Sequence, residues 1–236
     1  MKIVQISDSH ISVDHPDRTR DLQVCIQCIN DLSLKPDVVI HTGDITHNGL
    51  AEEYRVAKAC LDKLDAPYYV LTGNRDKRPE LTNTFPDGVS INHTDRFIQY
   101  SLESFDTRII VLDTLNEQSN KGELCEERLA HLEKMLATDT VKQALVFLHH
   151  TPFEVPPIPD PFQFENWHDV EKLNRLLVSF PSVIGLYCGH VHRNVEGAIA
   201  NLPVSAITCM ARDLRKGELT DEERNRPMYK EITTTP

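Results

Sequence analysis

Gly189-His190-Val191-His192 sets two histidines one residue apart, shortly after an apolar, β-prone run, Val183-Ile184-Gly185-Leu186-Tyr187. The same arrangement recurs four times earlier in the chain. Asp8-Ser9-His10 follows Ile3-Val4-Gln5-Ile6, and Gly43-Asp44 follows Val38-Val39-Ile40. Gly73-Asn74-Arg75-Asp76 follows Tyr68-Tyr69-Val70-Leu71, and His149-His150 follows Ala144-Leu145-Val146-Phe147-Leu148. Strands that deliver Asp, Asn or His at their carboxyl ends line one rim of a sheet, where α/β proteins place their sites.

Alternation of elements sets the architecture. The first third predicts strand, helix, strand, helix, strand over about 2–7, 17–34, 38–42, 51–64 and 68–72, a spacing that asks for parallel strands joined by right-handed crossovers. Strands near 97–102 and 108–113 are expected to pair, a helix over 125–137 leads to the strand ending at His149, and a helix over 168–179 precedes the strand to Cys188. Two β-prone segments, 194–199 and 203–208, follow. Residues 151–166 carry five prolines and no helical period, so a stiff loop is expected to wall the site directly after a ligand. From Arg212 the chain is charged and poor in apolar anchors, which predicts a surface arm or partly disordered tail. The expected organisation is one domain over 1–210, with 211–236 as its charged arm.

The bulk properties narrow the function. At 236 residues, 40% hydrophobic and 26% charged, the chain suits one large core. A formal net charge of −11 argues against a nucleic-acid surface, which needs a basic stripe. No apolar run is long enough to span a bilayer, and Asp8 comes too soon after Met1 to leave room for a signal peptide, so a cytoplasmic protein with no membrane partner is expected. Cys25 and Cys28 form a single C-x-x-C pair inside a helix with Leu22, Ile26 and Ile29, which reads as packed, reduced thiols.

Oxygen and imidazole donors suit Mn²⁺, Fe²⁺/Fe³⁺ or Zn²⁺, and these are too many for one tetrahedral ion. Two ions sharing a carboxylate, roughly 3.5–4 Å apart with a hydroxide between them, would clamp the attacking and leaving oxygens of a phosphoryl displacement. The residues alone thus point to metal-dependent phosphoester hydrolysis.

The order D-x-H, G-D, G-N-x-D, H, G-H-x-H resembles the calcineurin-like metallophosphoesterases over about residues 1–208. Gly43-Asp44-Ile45-Thr46-His47-Asn48-Gly49 followed by Glu52-Glu53-Tyr54, together with His149-His150-Thr151-Pro152, is similar to the class III cyclic-nucleotide phosphodiesterases and their glycerophosphodiesterase relatives. The resemblance implies an α/β fold, a four-layer α/β/β/α sandwich of two mixed sheets flanked by helices. It also implies one ion on Asp8, His10, Asp44 and His192 and a second on Asp44, Asn74, His149 and His190, with Asp44 as bridge. His150 is then expected beside the centre or on the substrate phosphate, and a small phosphodiester, a 3′,5′-cyclic nucleotide first, is the implied substrate. A glycerophosphodiester or phosphomonoester is the alternative, a non-catalytic scaffold is disfavoured by the full ligand set, and a homodimer is left open. The chain departs from the family pattern at Arg75, where a histidine is usual. Arginine cannot donate a proton at neutral pH but can hold phosphate oxygens with its planar fork. The bland alternative pairs Arg75 with a nearby carboxylate such as Asp76. His47, three residues after Asp44, could face the substrate and His41 could support the site from behind, whereas His15, His93, His131 and His168 read as ordinary surface residues.

Overall fold

The computed structural model describes residues 1–87, 96–155 and 160–234. Parallel strands β1 (Lys2–Ile6), β2 (Val38–His41) and β3 (Tyr68–Val70) are connected through helices α1 (Pro16–Asn30) and α2 (Ala51–Leu61), and α3 (Arg78–Thr84) follows β3. A second group contains β4 (Tyr100–Leu102), β5 (Arg108–Val111), α4 (Glu126–Ala137), β6 (Ala144–Phe147), α5 (Trp167–Val178), β7 (Val183–Cys188), β8 (Val195–Ile199) and β9 (Leu202–Ala206). The chain continues through α6 (Asp221–Asn225) to β10 (Lys230–Thr233). The strands form a four-stranded sheet, β10-β1-β2-β3, and a six-stranded sheet, β4-β5-β6-β7-β9-β8, both of mixed sense.

The layers follow from the period-two alternation of strand side chains. In β5 and β6, Ile109, Val111, Leu145 and Phe147 face the core shared with the first sheet, α1 and α2. Their neighbours Ile110, Ala144 and Val146 face α4 and α5. Each sheet therefore buries one face on the other sheet and one on helices, which is the expected four-layer sandwich. Gln5 of β1 fastens the two sheets, its amide donating to the Thr42 hydroxyl (3.1 Å) and the Cys188 carbonyl (2.8 Å). On α5 the buried residues Val170, Leu173 and Leu177 recur at helical spacing, each worth about 1.5–3 kcal/mol when fully buried. The Asn166 side chain caps this helix by accepting from His168 N at 3.1 Å, worth about 1 kcal/mol. Ala200 and Asn201, with φ of 53° and 61°, make the tight turn between β8 and β9, the backbone such hairpins need.

The C-terminal expectation needs correction. Lys230–Thr233 is a strand, antiparallel to β1 with Ile232 opposite Ile3, and Met228, Ile232 and Thr234 are buried. One apolar side chain suffices because the strand completes an existing ladder rather than building its own core. Cys25 is buried and Cys28 half-buried, both as free thiols. Burial pushes the Cys25 thiol up to about 12, consistent with a packing role. Among the described residues no helix is long and apolar enough to cross a membrane.

Candidate metal centre

Five of the expected ligands sit in the left-handed region that side chains rarely adopt: Asp8 (φ 54°), His10 (43°), Asp44 (50°), His190 (73°) and His192 (56°). Such strain costs of order 1–3 kcal/mol per residue and gathers where function requires it. Each ligand lies just beyond a strand end, where the turn swings its side chain over the rim. The loops interlock closely: a Cβ on Gly43 would lie 2.6 Å from the Gly73 nitrogen and 2.8 Å from His149 Nδ1.

The structure brings the seven expected ligands together. Donor atoms of Asp8, His10, Asp44 and His192 lie within 4.8 Å of one another. His10 Nε2 is 3.5 Å from Asp44 Oδ2 and 3.1 Å from His192 Nε2, which in turn is 3.3 Å from Asp8 Oδ1. On the other side, His149 Nε2 is 3.5 Å from Asp44 Oδ1 and 3.2 Å from Asn74 Oδ1, and His190 Nδ1 is 3.0 Å from the same Asn74 oxygen. Asp44 thus presents one oxygen to each group, the position of a bridging ligand.

Outer partners fix several donors. His149 Nδ1–H donates to the Thr42 carbonyl (2.7 Å) and His192 Nδ1–H to the Leu214 carbonyl (3.0 Å), which turns each Nε2 toward the centre as the ion-binding atom. Asp8 Oδ2 accepts from Ser7 Oγ (2.5 Å) and His190 N (3.0 Å). Asp44 Oδ1 accepts from Arg75 N at 2.8 Å. Asp8 Oδ1 is buried with no hydrogen bond, although a buried carboxylate oxygen ordinarily has one. An orphaned carboxylate oxygen beside two facing imidazole nitrogens fits a cation.

The electrostatics agree. Burial, with the charges of Asp8 and Asp76 and against the pull of His149, pushes Asp44 up to about 7. Burial opposes charge on His192, yet Asp8 beside it raises its pKa to about 11. Burial would also raise Asp8, but His192, His149 and His10 hold it well below the usual carboxylate range. Burial and the neighbouring His149 carry His190 down to about 3. These groups compete for too few protons, and divalent ions would supply the missing positive charge.

The remaining expected residues divide. His150 is wholly buried, with Nδ1 2.8 Å from Thr114 Oγ1 and Nε2 3.2 Å from the Asn120 carbonyl. Both ring nitrogens have partners, a donor atom of His150 lies within 4.8 Å of those of His149 and His190, and it is not among the residues lining the cleft. His47 lines the cleft above the ligands together with Arg75 and Asp160. His41 is buried with Nε2 2.9 Å from Ser9 Oγ, supporting the first loop from behind. His93 lies outside the described residues.

Asp76 does not pair with Arg75. It is buried and accepts from Gly73 N (2.9 Å), Ile45 N (3.1 Å), Thr46 N (3.3 Å) and Tyr54 Oη (3.0 Å), binding the Asp44 and Asn74 loops to each other. Glu53 secures the same region by accepting from Asn48 N (2.9 Å) and Leu50 N (3.3 Å). The proline-rich loop does wall the cleft, through Asp160 and Phe162, while its residues 156–159 lie outside the described set. It is anchored by buried Gln163, which donates to Thr151 Oγ1 at 2.7 Å.

Two packed sheets whose strand ends converge such a donor set define a metallophosphoesterase. The sequence model of the calcineurin-like phosphoesterases matches residues 1–194, and the chain belongs to that family. It is 38% identical over 203 residues to a probable glycerophosphodiester phosphodiesterase of Arcobacter nitrofigilis, covering 82% of this chain and 72% of that one. It is 31% identical to a glycerophosphodiester phosphodiesterase of Enterobacter lignolyticus (87% and 77% covered). A cAMP/cGMP dual specificity phosphodiesterase of Mycobacterium tuberculosis is 29% identical (90% and 69%). In fold, the chain is similar to a dimetal phosphatase from Danio rerio, with a TM-score of 0.74 at 16% identity over 89% of this chain and 88% of that one. The relatives fall in the branch that the Gly43–Tyr54 region pointed to.

Proposed function

We propose that this protein hydrolyses a small phosphodiester at a two-ion centre held by Asp8, His10, Asp44 and His192 on one side and Asp44, Asn74, His149 and His190 on the other. The observation that carries this reading is the position of Asp44, whose two oxygens face two separate donor groups 3.5 Å away on each side. When bound, the ions supply Lewis-acid charge and an activated water. The protein's own residues do the rest. Asn74 and the histidines contribute neutral donors, so that the loaded centre stays positive enough to attract a phosphodiester anion. The Arg75 side chain is exposed, lines the cleft and has no partner among the described residues, so its fork is free for phosphate oxygens. Of His150 and His47, the two histidines that could meet the substrate, His47 is the one that lines the cleft.

Relatives at 38% and 31% identity support an open-chain glycerophosphodiester as substrate. The relative at 29% supports the second reading, a cyclic nucleotide. The test is a panel of Mn²⁺-loaded protein against glycerophosphodiesters, cyclic AMP, cyclic GMP, bis-p-nitrophenyl phosphate and p-nitrophenyl phosphate, with Asp44→Ala as control. Diester turnover that vanishes in Asp44→Ala is expected. Turnover of the monoester alone would overturn the diesterase reading, and a preference for cyclic AMP would select the second substrate.

A further inference from the structure

A cavity of about 650 Å³ opens beside the cleft and shares Asn74, Arg75 and Asn120 with it. This is the size of a small-ligand site. Its lining carries Arg75, Lys77 and Arg78 against the carboxylates Asp76 and Glu117, in a chain whose net charge is −11. Arg78 is already neutralised: Asp113 holds it through two bonds (2.8 and 2.9 Å) and Glu117 through a third (2.8 Å). Arg75 and Lys77 are exposed, line the cavity and have no side-chain partner among the described residues. The carboxylate nearest to them in sequence, Asp76, is buried and committed to backbone amides. Asn116 and Gln118 add amide groups to the wall, and among the described residues no aromatic ring lines it.

We propose that this cavity is the subsite for one ester arm of the substrate, and that it selects arms ending in an anion, a carboxylate or a second phosphate. The proposal rests on the diesterase reading, since an arm can enter only while its phosphate sits at the neighbouring centre. With Arg75 reaching the phosphate at the neighbouring centre, Lys77 is the cation left to attract such a terminus and to repel a quaternary ammonium. The amides suit hydroxyl groups along the arm.

The test is calorimetric binding to the Mn²⁺-loaded protein of four phosphate monoesters that differ at the far end: 4-phosphooxybutanoate, butane-1,4-diol bisphosphate, butyl phosphate and phosphocholine. The two anionic arms should bind about fivefold more tightly than butyl phosphate, the scale of one solvent-exposed ion pair, and phosphocholine more weakly than butyl phosphate. A carboxylate preferred over the second phosphate, or the reverse, distinguishes the two sources of charge. Lys77→Gln should narrow the order and Lys77→Glu should abolish it, read as ratios within each variant so that a general loss cancels. Equal binding of butyl phosphate and 4-phosphooxybutanoate in the wild type, or an order unmoved by Lys77→Glu, overturns the proposal. Failure of the diesterase reading shows separately, as no turnover of bis-p-nitrophenyl phosphate by protein that still ranks the four monoesters.

Discussion

The Asp8, His10 and His192 half of the centre and the Asn74, His149 and His190 half meet at Asp44, but they are held by different means. In the first half all three residues have left-handed backbones, and Asp8 adds a second negative charge to that of Asp44. In the second half only His190 is so strained, and Asn74 brings no charge. Each half leaves one buried atom without a hydrogen bond, Asp8 Oδ1 in the first and His190 Nε2 in the second, but only the first of these is an anionic oxygen. The first half should therefore hold its ion more tightly, and the second should be the exchangeable position.

The largest effect expected is from Asp44→Ala, which removes what both halves share. Diester turnover should fall on the order of 10³-fold, the scale of losing a principal electrostatic contact, and calorimetry should find neither ion bound tightly. Asn74→Ala should separate the halves. It is expected to weaken only the second step of a Mn²⁺ titration, by about 100-fold, at the upper end of what even outer-shell ligand changes cost. Asp8→Asn should weaken the first step instead, and equal losses in both steps would break the comparison. Acidity comes next. Asp44, with a pKa raised to about 7, and His192, raised to about 11, must release protons before they bind an ion. Protons thus compete with metal, so affinity rises with pH, by about tenfold per unit for each proton displaced. The slope measured by calorimetry should steepen below the Asp44 value. The smallest effect is that of Arg75→Ala, expected to lower kcat on diesters by about 10-fold, or roughly 1.4 kcal/mol of transition-state contact, without changing either Mn²⁺ step. An unchanged kcat would take Arg75 out of the chemistry.

How legible each part was in the sequence depends on what the residues had to be. The ligand-bearing strands showed because Val38-Val39-Ile40 and Ala144–Phe147 are buried throughout, as interior parallel strands are, and each ends abruptly in donors. The ligands themselves showed because few side chains bind metal. Their supports left less trace. The Thr42 and Leu214 carbonyls that orient His149 and His192 belong to the backbone, which every residue supplies. Asp76 was visible only as part of Gly73-Asn74-Arg75-Asp76, and its role depends on amides from Ile45 and Thr46, some 30 residues away in sequence. Helix α3 went unnoticed because Leu81 is the one residue in Arg78–Thr84 that is buried. Strand β10 was missed for the same reason, since its hydrophobic partner lies at the opposite end of the sequence.

That last pairing bears on how the molecule assembles. Met1 donates to the Thr234 carbonyl at 2.9 Å, and Thr234 N donates back to Met1 at 3.0 Å, across 233 positions of sequence. Strand β1, which leads into Asp8, is an inner strand of its sheet only once β10 has docked on it. Contacts this remote make folding slow. During synthesis Asp8 would wait, on an unfinished strand with an open edge, until Lys230–Thr233 has been made and can dock on it. The ability to capture ions would then depend on a strand more than two hundred residues downstream of the first ligand.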